Sequence, residues 1–83
     1  MRLWLVERSF DTRNTVTIIY ATTDGEYSYR KQATLDLLAR SPASAAVERE
    51  RDRVTAVEDE ETRERYAQEA TRMADEYDPD DEI

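Results

Sequence analysis

Trp4, Tyr20, Tyr27 and Tyr29, with Arg2, Arg8, Arg30 and Lys31, are the side chains best suited to engage another molecule. Aromatic rings interleaved with cations are the raw material of a base-stacking surface, on which rings take bases and cations take phosphates. The plainer reading packs Tyr20 and Tyr29 under a helix and leaves the cations on strand edges or paired with carboxylates. The net charge of −8 weighs against nucleic acid, because a strongly anionic chain repels the phosphate backbone. Molar salt would weaken that repulsion, and attraction equally.

Two acidic groups suggest other chemistries, and both have plainer explanations. Asp78, Asp80 and Glu82 alternate like the start of a calcium loop, but such a loop needs a glycine at its sixth position and a bidentate Glu at its twelfth. The sequence supplies neither, so a solvated acidic segment with diffuse cations around it is expected. Glu58-Asp59-Glu60-Glu61 resembles a carboxylate pair for acid–base work. At the first turn of a helix such residues more simply favour the positive end of the helix dipole. The sequence contains no histidine and no cysteine. The commonest general base, the usual zinc ligands, disulfides and thiol nucleophiles are therefore absent. Neither a cofactor nor an enzymatic activity is expected.

The cations are almost all arginine: of twelve basic residues only Lys31 is lysine, against twenty acidic ones. Carboxylates hold water with little apolar surface, whereas lysine exposes a long apolar stem. A surface of this kind stays hydrated and self-repelling when salt has screened long-range charge. It suits a cytoplasm of molar salt, and stability is expected to fall as salt is withdrawn. No apolar stretch approaches the ~20 residues that cross a bilayer, and Glu7 interrupts the apolar start, so a cytoplasmic protein with no membrane partner is expected.

The elements that must position these residues follow from pattern. Residues 1–41 carry six basic and five acidic side chains, a net of +1, and residues 42–83 carry six and fifteen, a net of −9. That split predicts a sheet-forming half followed by a helical half. Residues 2–10, 15–22 and about 26–32 are rich in β-branched and aromatic residues, as strands prefer. Asp24-Gly25 is a strong hairpin signal, with positive φ expected at both positions. It pairs Thr22 with Tyr27, Tyr20 with Tyr29 and Ile18 with Lys31, so Val16, Ile18, Tyr20, Tyr27 and Tyr29 share a face. The first hairpin leaves two registers open. A four-residue loop puts Leu3 and Leu5 on that face, and an odd loop puts Trp4 and Val6 there.

Beyond Thr34, which can cap a short turn through Leu38, Ser41-Pro42 reads as a helix start, with a helix over 43–54. The alternating run Glu48-Arg49-Glu50-Arg51-Asp52-Arg53 reads as its solvated face. Tyr66, Ala70, Met73 and Tyr77 recur at helical spacing, which predicts an amphipathic helix over 59–77 ended by Pro79. One domain over 1–77 and an acidic disordered tail over 78–83 are expected.

The opening Met1-Arg2-Leu3-Trp4-Leu5-Val6-Glu7-Arg8, the central Tyr20-Ala21-Thr22-Thr23-Asp24-Gly25-Glu26, and Arg63–Ala74 with Asp78-Pro79-Asp80-Asp81 resemble a group of small acidic proteins of salt-loving archaea. The resemblance implies an archaeal cytoplasmic origin. It carries no assigned activity, so no site residue follows from it.

The expected fold is therefore α+β: a three-stranded antiparallel meander followed by two helices, the last packed on one sheet face. The expected role is a small non-enzymatic interaction protein that engages another protein, or a second copy of itself, through the uncovered face. Trp4, Val6, Arg8, Ile19, Arg30 and Lys31 are the candidate contact residues. Nucleic-acid binding by the sheet's aromatics and cations is the alternative.

Overall fold

The computed structural model describes residues 1–11 and 13–83. Three long strands, β1 (Arg2–Phe10), β2 (Thr15–Ala21) and β3 (Tyr27–Thr34), form the antiparallel meander that their β-branched and aromatic content predicts. They do not form the whole sheet. Two short strands, β4 (Ala46–Glu48) and β5 (Thr55–Ala56), pair with β1 and β3 to give a five-stranded antiparallel sheet of order β4-β1-β2-β3-β5. The three-stranded expectation is thus corrected, and so is the helix over 43–54. That stretch is extended apart from a single 3-10 turn at Arg51–Arg53. The Glu/Arg alternation across 48–53 has a period of two, the period of a strand, and Val54-Thr55 carries β-branched side chains. Ser41 caps the end of α1 (Leu35–Arg40), which Thr34 opens by accepting the Leu37 N–H at 3.1 Å.

The second hairpin has the expected register, Tyr20 opposite Tyr29 and Ile18 opposite Lys31. Its turn differs. Only Gly25 has positive φ, at 73°, and the loop closes with Gly25 N–H donating to the Thr22 carbonyl at 2.8 Å and Thr22 N–H to that of Tyr27 at 3.0 Å. In the first hairpin Asp11 N–H donates to the Thr15 carbonyl at 3.0 Å, and Phe10 lies opposite Val16. That odd loop alone would place Trp4 and Val6 beside Tyr20. A bulge at Val6, between Leu5 and Glu7, shifts the register by one, so Leu5 lies opposite Tyr20 and Trp4 opposite Ala21.

The sheet therefore has two distinct sides. The tyrosine face carries Leu3, Leu5, Arg8, Phe10, Val16, Ile18, Tyr20, Tyr27, Tyr29 and Lys31. The tryptophan face carries Trp4, Glu7, Ile19, Ala21, Arg30 and Ala46. Helix α2 (Glu60–Glu76) covers the tryptophan face over β1 and β2, burying Tyr66, Ala70 and Met73, with Arg65 paired to Glu7 at 3.4 Å. Asp59 caps it, accepting from the Thr62 N–H at 2.9 Å and hydroxyl at 2.7 Å. Gly25 lies against the helix backbone, where a Cβ would run into the Arg63 carbonyl oxygen. Residues 78–83, expected as a disordered tail, run beside 43–46. Ala45 and Ala46 donate to the Asp81 and Pro79 carbonyls at 2.8 and 3.0 Å, and Ile83 N–H donates to that of Ala43 at 2.8 Å. Among the described residues no helix is long and apolar enough to cross a membrane.

Candidate interaction surface

Neither side of the sheet is bare. On the tyrosine face Val16, Ile18 and Tyr20 are fully buried. Their cover is the extended chain that follows α1. Ala43, Ala45 and Val54 are buried in the shared core, Leu38 of α1 packs against it, and the Tyr20 hydroxyl donates to the Ser44 carbonyl at 2.9 Å. Burial pushes the Tyr20 phenol above its ordinary pKa, and this hydrogen bond opposes the shift.

Further along, the arginines of the alternating run return onto β3. The Arg49 guanidinium lies 4.6 Å from the centre of the Tyr29 ring and that of Arg51 lies 4.3 Å from the centre of the Tyr27 ring. The Tyr29 phenol is drawn below its ordinary pKa, chiefly through its interaction with Arg49, and the charges of Arg53 and Lys31 act in the same direction. Glu48, one residue before, is directed to the other side, where it pairs with Arg2 at 3.5 Å. The alternation thus sorts cations onto the tyrosines. These rings are capped by the chain's own guanidinium groups and do not form an open base-stacking platform.

The candidate residues are divided between the two sides. Trp4 is 7 % exposed, under α2. Val6, half-buried, occupies the bulge. Half-buried Ile19 and exposed Arg30 lie opposite each other on the tryptophan face, whereas Arg8 and Lys31 flank Ile18 on the tyrosine face. The six do not form one surface.

The surface that does stand open was not singled out by sequence. Phe10 is 67 % exposed and Leu35 42 %. With Arg8, Leu38, Ala39, Pro42, Ala43 and Ile83 they line a groove of about 400 Å³ at the end of the tyrosine face. Leu37, 46 % exposed, extends the apolar content of α1 beside it. Phe10 precedes the first turn and so lies past the edge of the cover. Leu35 and Leu38 share one side of the helix, but Leu37 lies about 160° round from Leu35, so the three cannot all be buried on one side. Three leucines within four residues of so short a helix were the signal available in the sequence.

Other clusters offer less. Asp24 accepts from the Thr22 hydroxyl at 2.5 Å and the Glu26 N–H at 3.0 Å, which holds its carboxyl below the usual range. It serves the turn. Among the described residues no group of three or more acidic side chains is arranged to hold a metal ion.

The chain belongs to the family of unknown function DUF7967, whose profile matches residues 1–83. No curated protein and no solved structure matches it.

Proposed function

We propose that this member of the DUF7967 family is a small non-enzymatic interaction module that docks another protein on the groove between β1, α1 and Ile83. The observation that carries the reading is the exposure of Phe10 and Leu35 around a concave apolar surface, in a chain whose remaining large apolar residues are mostly covered. An exposed apolar concavity of this kind marks an interaction site more often than a surface accident. The absence of histidine and cysteine from the sequence supports a binding role over catalysis. The working environment we propose is the salt-rich cytoplasm of an archaeon, supported by twenty acidic residues, eleven arginines and a single lysine.

The test is affinity capture from native lysate in molar KCl, comparing the wild type with a Phe10→Glu/Leu35→Glu variant after nuclease treatment. A stoichiometric protein captured by the wild type and lost with the variant is the expected result. The same protein captured equally by a folded variant would remove the groove from the reading. Sedimentation of the purified chain separates a foreign partner from a second copy.

A further inference from the structure

We propose that Lys31, Arg49 and Arg51 form a second site, which holds a single nucleic-acid strand by its phosphates and reads no bases. The inference is independent of the groove. Alternate residues of β3 place Tyr27, Tyr29 and Lys31 in a row on one face, roughly 7 Å between neighbours. The Arg51 and Arg49 guanidinium carbons lie over the first two of these rings, at 4.3 and 4.6 Å from the ring centres. Stacking fixes a guanidinium plane and leaves its N–H edge to face a ligand, which is the fork that matches a phosphate. Arg49 spends one of its donors on the Glu48 carbonyl at 2.7 Å.

The cations of this site are not taken up by the chain's own carboxylates. Acidic residues outnumber basic ones by twenty to twelve. Yet among the described residues only Arg2, Arg65 and Arg72 make ion pairs, and none of the three cations here does so. Glu50 and Asp52 are their sequence neighbours, and neither comes within ion-pair reach of them. The net charge is also one-sided. Residues 58–83, which form α2 and the segment after it, hold twelve acidic and three basic side chains, while residues 1–57 hold eight and nine. Since α2 lies on the tryptophan face, the eight acidic and three basic side chains of 58–77 put a net −5 on the far side of the sheet, and at low ionic strength repulsion would orient the protein with its arginines toward a polyanion.

An acidic peptide is the less favoured ligand. An extended peptide gains its affinity by pairing with a free strand edge, and beside Tyr27 and Ser28 that edge is occupied by β5. A nucleic-acid strand needs only its phosphates. Because the tyrosines are already capped, base identity would matter little.

The test is fluorescence anisotropy of a short labelled uridine oligonucleotide, titrated with the full chain over a series of KCl concentrations at which circular dichroism shows it folded. Three phosphate contacts predict a log–log salt slope of about −2.1 for a single strand. Lys31→Gln leaves both stacked arginines in place, so it should keep the fold. It should reduce the slope to about −1.4 and weaken binding about 5-fold at ~0.1 M salt. Arg30→Gln removes a charge from the opposite face and should change neither quantity. No binding by the folded wild type, equal loss with Arg30→Gln, or displacement of the oligonucleotide by a glutamate peptide of equal charge would each overturn the proposal.

Discussion

The two sides of the sheet are closed by different means. On the tryptophan face a seventeen-residue helix buries Tyr66, Ala70 and Met73, the last two in one core with Trp4, and apolar contact dominates. On the tyrosine face an irregular chain does the work, with small side chains filling the centre, one phenol–carbonyl hydrogen bond, and two guanidinium groups stacked on tyrosines. A helix covers by area alone. An extended cover needs specific anchors, and where they stop, beyond Ala43, the face stays open as the groove that holds Phe10 and Leu35. On the proposed reading both interaction surfaces lie on the tyrosine side, and the tryptophan side is chiefly structural.

Substitutions should respect that division. Trp4→Ala removes the largest side chain beneath α2 and should cost about 3–5 kcal/mol, enough to unfold a domain with so small a core. Thermal denaturation by circular dichroism checks it, and a mild effect would mean that α2 is held by something other than apolar contact. Gly25→Ala puts a Cβ at φ 73° against the Arg63 carbonyl, and should cost about 2–3 kcal/mol in the same assay. Tyr20→Phe probes the other face. Loss of its bond to Ser44 should cost about 1 kcal/mol, with faster amide exchange across 43–46 as the local signature. The smallest effect concerns acid. The Asp24 carboxyl has its pKa lowered by Thr22 and Glu26, so its contribution is complete above the ordinary carboxylate range and disappears as pH falls through the lowered value. Asp24→Asn should therefore lower the neutral plateau slightly and flatten the acid limb of a pH–stability curve, converging with the wild type in acid.

What was legible in the sequence divides along the same line. Helix α2 announced itself through Tyr66, Ala70 and Met73 at helical spacing, and the β2–β3 register followed from Asp24-Gly25 even though only Gly25 takes positive φ. Both are local signals. The run 48–53 was read for its helix-favouring residues and not for its period of two, and those residues lie beside edge strands paired to partners more than twenty residues away. Propensity yields to such non-local pairing. The bulge at Val6 had no sequence mark, yet it decides which face receives Trp4, whereas Arg30 and Lys31, adjacent on β3, take opposite faces with or without it. The groove depends on Ile83 returning to Ala43, which no local pattern records.

The most direct test of this two-sided account is the backbone chemical shifts of residues 46–56 in the folded protein, with a search for proton contacts between Arg49 and the Tyr29 ring. The account predicts extended shifts at 46–48 and 55–56, together with those contacts. Helical shifts continuous through 43–54, with the Tyr29 ring free of Arg49, would contradict it.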